Sequence, residues 1–251
     1  FSLIHDDIMD EAPLRRGKET VHHKWDLNTG ILSGDALLIL AYQLFENYEP
    51  QKFSELAKLF STTALQVCEG QQYDVDFETR NDVTIPEYLK MIEYKTAVLL
   101  GAAMKMGAIV AETSENCKVN TYEFGRNLGI AFQLQDDYLD CFGNPDTFGK
   151  KVGGDIIINK KTFLYLKTLE KSNESDTEIL KQLFSSFPKD PTEKIEQVKE
   201  LYLKSGAAKE SLQEIVNYTQ NANNIIEQLN ISDKNKAVLK SFSDQLMNRK
   251  V

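Results

Sequence analysis

The sequence is poor in residues that interrupt regular structure. Six prolines and thirteen glycines are spread over 251 residues, and little of the chain shows the two-residue polar–apolar alternation of strands. Three cysteines, Cys68, Cys117 and Cys141, stand far apart. An odd number without a C-x-x-C pair argues against a disulfide scaffold or a thiolate metal centre and suits a reducing compartment, so the cytosol is the expected location. No run of apolar residues approaches the roughly eighteen needed to span a bilayer, so no transmembrane segment is expected. Positive charge is also short: 29 Lys and Arg face 38 Asp and Glu, for a net charge of -9. That balance argues against non-specific binding to nucleic acid or an anionic membrane and favours a ligand bound with the help of cations.

What the chain does have is long stretches with apolar residues at helical spacing. One helix is expected to end near Asp10, before the Ala12-Pro13 break, a second to run from about Asn28 to Tyr48, and a third from about Gln51 to Glu78. Thr84 and Glu87 form a capping-box pattern with Pro86 in the first turn, predicting a helix that continues to about Ala111 and, being apolar nearly all round, lies centrally. A further helix is expected from Tyr122 to Cys141, stopped by Gly143-Asn144-Pro145. The Lys/Glu-rich segments at Glu193 to Lys204 and Asp233 to Lys250 read as amphipathic helices on the outside of a bundle. No linker divides the chain, so residues 1–251 are read as one all-α domain. The opening Phe1-Ser2-Leu3-Ile4 carries no Met, basic region or cleavage site; it is no signal peptide, and N-terminal helices are expected to be missing.

Two segments concentrate carboxylates. Asp6-Asp7-Ile8-Met9-Asp10 and Asp136-Asp137-Tyr138-Leu139-Asp140 are both DDxxD, each at the C-terminal end of an expected helix. Residues four apart on a helix lie about 40° from one another, so Asp6 shares a face with Asp10 and Asp136 with Asp140. Stacked like charges at the negative end of a helix dipole are unfavourable unless a cation neutralises them. Oxygen ligands without His or Cys select a hard ion such as Mg²⁺, which keeps water and substrate phosphate in its shell. One such cluster is more often a solvated acidic helix end, since composition alone yields a DDxxD in roughly one such chain in ten; two are far harder to obtain by accident.

Basic loops follow both clusters: Arg15-Arg16-Gly17-Lys18 after the first, and Lys150-Lys151 with Lys160 after the second. Arg presents a planar fork to phosphate oxygens and Lys a mobile point charge. An isolated Arg pair is usually surface, but its recurrence beside DDxxD points to a diphosphate held between metal and basic side chains. His5, His22 and His23 lie near the first motif and are expected to have structural or surface roles.

The run DDIMDEAPLRRG resembles the first aspartate-rich region of the trans-isoprenyl diphosphate synthases, and FQLQDDYLDCFGNPDTFGKKVGGD resembles their second. Gly70-Gln71 with Asp74, and Lys95-Thr96, match family positions in order and spacing, and the resemblance covers about residues 1 to 170. It implies an isoprenoid-synthase-type helical bundle around a deep central cavity, usually dimeric, so a homodimer is expected. It also implies that Asp6, Asp7, Asp10, Asp136, Asp137 and Asp140 hold three Mg²⁺ ions, with Mn²⁺ able to substitute. Arg15, Lys95, Lys150 and Lys160 would bind an allylic diphosphate (dimethylallyl, geranyl or farnesyl). Arg16 would bind isopentenyl diphosphate with Phe132 nearby, and Thr96 and Gln133 would face the developing cation. The family's upstream Gly-Lys-Arg motif is absent from this chain.

Head-to-tail condensation of the two diphosphates is therefore the expected activity, with the loop from Asp146 to Gly154 as a lid. The alternatives are a class I terpene cyclase, a head-to-head synthase and a non-catalytic synthase subunit; a second intact DDxxD and the Arg-Arg-Gly loop weigh against them. Product length is expected to depend on Ser2 and Phe1, four and five residues before Asp6. By family resemblance, a small residue at the first place and an aromatic at the second favour geranylgeranyl diphosphate, with farnesyl or longer products as alternatives.

Overall fold

A computed structural model of the chain describes residues 1–144 and 152–248. Helix α1 (Ser2–Met9) leads into a short antiparallel pair, β1 (Leu14–Arg15) and β2 (Lys18–Glu19), then α2 (Val21–Lys24), α3 (Leu27–Gln43) and α4 (Pro50–Thr79). After α5 (Ile85–Ile92) and α6 (Val98–Val110) comes α7 (Glu115–Phe142). Beyond it lie α8 (Gly154–Ile157), α9 (Phe163–Lys171), α10 (Glu174–Leu183), α11 (Thr192–Lys204), α12 (Ala207–Gln228) and α13 (Asp233–Met247). Among the described residues, every element after β2 is helical, so the expected all-α class holds.

Several local signals act as anticipated. The Thr84 side chain accepts from the Glu87 backbone while Glu87 reaches back to the Thr84 N–H, closing the capping box. Pro50 opens α4 in its first turn, where its missing N–H has no cost.

Four expectations need correction. The helix expected from Thr84 to Ala111 is broken by a π-helical turn at Glu93–Ala97. Helix α7 starts at Glu115, not Tyr122, because the Ser114 side chain caps it by accepting from the Cys117 N–H; Lys118 then pins this polar first turn to α4 through Glu55, at 2.8 and 3.0 Å. The helix expected to reach Tyr48 ends at Gln43 and tightens into a 3₁₀ turn, Leu44–Asn47. The last third is not wholly peripheral: α12 runs along α7 and buries Ala208, Ile215, Ala222 and Ile226.

The main core gathers Tyr88, Met91 and Ile92 of α5, Ile130 and Leu134 of α7, and Leu164, Leu180, Val198 and Tyr202 of later helices. Leu134 is fully buried, and truncating such a side chain typically costs about 2–5 kcal/mol. This packing makes α7 a rigid spine for the second aspartate motif. The first motif is carried by α1, which is tied to α3 by His5 Nε2 donating to the Ile31 carbonyl at 3.0 Å. His5 is structural, as expected.

Candidate active site

The first motif sits where α1 ends, with Asp10 as its C-cap. The chain then doubles back through a two-residue hairpin whose central residues, Arg16 and Gly17, have φ of 53° and 74°. Positive φ at both positions suits the right-handed twist of paired strands, and glycine takes it without strain. The turn delivers Arg15 onto the motif: its Nε donates to Asp7 Oδ1 at 2.7 Å and its Nη2 to Asp6 Oδ2 at 3.0 Å. Arg16 faces outward and is exposed.

The π turn presents Lys95 and Thr96. An extra residue in a helical turn re-aims side chains and recurs at functional sites. Here it lies tight against α4, where a Cβ on Gly70 would come within 2.2 Å of the Lys95 backbone nitrogen; only glycine allows that approach. Lys95 Nζ donates to Asp74 Oδ2 at 2.6 Å and stands 3.3 Å from Asp6 Oδ1. The latter contact is an ion pair without hydrogen-bond geometry, and Asp6 Oδ1 is a buried acceptor with no hydrogen bond.

On α7 the second aspartate faces inward. Asp137 is 5% exposed; it accepts from the buried Tyr88 hydroxyl and, at 3.0 Å, from Gln133 Nε2. Burial, with Asp155 adding, pushes its carboxyl up to about 7, against Lys160 and the two donors. Asp140 accepts from the Asp155 N–H at 2.9 Å and so holds the start of α8. Asp136 and Phe132 lie half-buried on the same helix.

Lys160 stands between the two groups. Burial alone would lower its pKa, but Asp74, Asp155, Asp137 and Asp10 outweigh it and raise the ammonium above its usual range. Asp74, whose burial opposes ionisation, is held below the usual carboxylate range by Lys160 and Lys95. Asp10 moves the other way, raised by burial and by Asp6 despite both lysines. A narrow cleft is lined by Asp74, Lys95, Thr96, Gln133, Asp137 and Lys160. The structure thus brings Asp6, Asp10, Lys95 and Lys160 into one electrostatic group, and Thr96 and Gln133 into contact at 3.2 Å.

Lys150 and most of the expected lid, Asp146 to Lys151, lie outside the described residues. Phe1 and Ser2 are half-buried at the start of α1. Asp155 and Tyr88 carried no local signal, since their partners are distant in sequence. Asp74 was marked only by the family resemblance, as a match beside Gly70-Gln71.

Among the described residues, no three His, Cys, Asp or Glu side chains converge as a ready-made metal cage. The donor chemistry nevertheless fits a hard cation shared with a phosphate-bearing ligand. Asp6 offers a buried oxygen with no hydrogen bond, and Asp6 and Asp10 lie one turn apart at the end of α1.

A sequence profile of the polyprenyl synthetase family matches residues 1–203. The short chain isoprenyl diphosphate synthase of Methanothermobacter thermautotrophicus is 36% identical over 95% of this chain and 73% of its own length. The geranylgeranyl diphosphate synthase of Methanosarcina mazei is 41% identical over 70% of this chain and 55% of its own. A crystal structure of a geranylgeranyl pyrophosphate synthase superposes with a TM-score of 0.94 at 56% identity, covering 100% of this chain and 77% of that one. That of the Pyrococcus horikoshii geranylgeranyl pyrophosphate synthetase gives 0.90 at 34%, covering 99% and 75%. The chain belongs to the polyprenyl synthetase family. Its match spans about three quarters of those two structures and about half of the M. mazei relative. Among the described residues no helix is long and apolar enough to cross a membrane.

Proposed function

We propose that the protein is a trans-prenyltransferase that joins isopentenyl diphosphate head-to-tail to an allylic diphosphate and releases geranylgeranyl diphosphate. The observation that carries this reading is the electrostatic group itself: Asp6, Asp10, Asp74 and Asp137 interleaved with Lys95 and Lys160 around one cleft. Relatives named as geranylgeranyl diphosphate synthases support the product.

We assign Asp6, Asp7, Asp10, Asp136, Asp137 and Asp140 to the metal cluster, some of them through water, with Asp6 offering a buried oxygen that has no hydrogen bond. Three Mg²⁺ ions bound there would neutralise the charge that develops on the departing diphosphate. Lys95, Lys150 and Lys160 hold the allylic diphosphate. Arg15, which clamps Asp6 and Asp7 here, turns its fork to phosphate when a cation takes over those carboxylates. Arg16 meets isopentenyl diphosphate beside Phe132. Thr96 and Gln133 offer oxygen lone pairs to the allylic cation, and the isopentenyl double bond attacks it. The departing diphosphate then removes a proton from the carbon next to the new bond. Water would quench the cation, so the reaction requires a dry site.

The whole chain acts as one catalytic unit and pairs with a second copy. Apolar side chains left exposed on α3, among them Leu32, Ile39 and Leu40, support an interface. The cytosol is the compartment that fits its free cysteines.

The test is incorporation of labelled isopentenyl diphosphate with dimethylallyl, geranyl or farnesyl diphosphate, with Mg²⁺ or Mn²⁺ and with excess EDTA. Incorporation should require the metal. Undiminished turnover in EDTA, or cyclic hydrocarbon from a prenyl diphosphate alone, would overturn the reading.

A further inference from the structure

Tyr88 is fully buried on α5, seven residues before Lys95 and outside the aspartate motifs. Its hydroxyl donates to Asp137 Oδ2. The other carboxylate oxygen, Oδ1, accepts from Gln133 Nε2 at 3.0 Å, and Gln133 Oε1 accepts from the Thr96 hydroxyl at 3.2 Å. These four side chains form one relay whose two arms converge on Asp137. When Asp137 is ionised its carboxylate only accepts, so Gln133 presents its amide N–H₂ to Asp137 and its carbonyl to Thr96. A threonine hydroxyl has one proton. With that proton committed to Gln133, what remains for the cleft is lone pairs, the polarity that stabilises a cation.

We propose that Tyr88 is a positioning residue: by holding the Asp137 carboxylate in the cleft wall it fixes Gln133, and through Gln133 turns the lone pairs of the Thr96 hydroxyl toward the cleft. Asp137 is then the anchor of a polarity relay, in addition to its place in the second aspartate motif. The inference rests on the prenyltransferase reading, because it assigns the relay to the step in which positive charge develops. Nothing in it requires Tyr88 to touch substrate.

The test compares Tyr88→Phe, Thr96→Val and the double variant, measuring kcat, KM for the allylic diphosphate, and affinity for inorganic pyrophosphate with Mg²⁺. Tyr88→Phe should lower kcat about tenfold, as loss of an outer-shell partner commonly does, with KM and pyrophosphate affinity within about twofold of wild type. In the Thr96→Val background the same change should cost less than about twofold, since the relay no longer ends on a hydroxyl. Unchanged kcat, an equal loss in both backgrounds, or a matching fall in pyrophosphate affinity would each overturn the proposal. Should Tyr88→Phe fold poorly by circular dichroism, Asp137→Leu serves instead. It removes the carboxylate that holds Gln133 and should give the same non-additive loss with Thr96→Val. If wild-type protein incorporates no isopentenyl diphosphate, the proposed function fails; if it does and these variants match it, only the relay fails.

Discussion

The two aspartate motifs share a pattern and differ in what surrounds it. In both, the second aspartate is the buried one, Asp7 and Asp137 being each 5% exposed. Asp7 is met by a cation, the Arg15 guanidinium, which is itself one-third exposed. Asp137 is met by uncharged donors, Tyr88 and Gln133. The cause lies in the helices. Helix α1 is eight residues long and ends within its motif, so its carboxylates stand at an edge that a hairpin can reach. Helix α7 is 28 residues long and continues past its motif to Phe142, packed against α5 and α12, so one face of that motif must enter the core. A repeated motif therefore gives two environments, one set by mobile cations and one by fixed dipoles.

The widest test asks whether the outer carboxylates are nonetheless equivalent. Asp6→Ala and Asp136→Ala should each lower turnover by roughly 10²-fold or more, because each removes an electrostatic contribution acting on the leaving diphosphate. Far-ultraviolet circular dichroism should show the fold intact. Near wild-type turnover in one variant alone would mean that only the other motif takes part in the chemistry.

The second aspartates should separate the motifs by stability. Tyr88→Phe leaves a buried carboxylate short of one donor and should cost about 1–3 kcal/mol. Asp7→Asn leaves Arg15 able to turn to water, so the loss should stay below about 1 kcal/mol, as for partly exposed ion pairs. Urea denaturation of both, without metal, measures the difference. Equal losses would show that the neutral and the charged settings are energetically alike, against the comparison drawn above.

Much of this was legible in the primary structure. The capping box at Thr84 and Glu87, the DDxxD spacing and the basic loops rest on local rules that the fold obeys. The π turn at Glu93–Ala97 was not legible, because one extra residue leaves the apolar repeat almost unchanged; Gly70, which makes room for it, is on another helix. The Tyr88–Asp137 contact joins residues 49 apart, and a phenol on an apolar face reads as core. Asp155 was hidden for the same reason, since its N–H bond to Asp140 exists only once the chain has turned back on α7. The polar start of α7 was missed because a buried lysine, Lys118, offsets it with Glu55 from a different helix.

The smallest effect in rate falls at the head of the first motif, where the change should be in product length. Ser2 and Asp6 lie one helical turn apart, so a prenyl tail running from the diphosphate along α1 meets Ser2 first. Phe1 occupies the neighbouring stripe, with its ring edge-on to His5 at 6.5 Å between centroids, and His5 is fixed to the Ile31 carbonyl. On the proposed reading Ser2 leaves an opening through which the tail passes, and Phe1, braced by His5, is the wall that checks it. Ser2→Phe should close that opening and shift the main product from geranylgeranyl to farnesyl diphosphate, while overall turnover changes by less than about tenfold, since a pocket methylene or ring discriminates by only a few kcal/mol. Phe1→Ala should add longer chains in smaller proportion, because removing one side of the wall leaves His5 in place. Chromatography of the dephosphorylated products reads both variants. If neither distribution moves, the tail passes along α4 instead, where Leu65 and Cys68 are exposed, and α1 has no part in setting chain length.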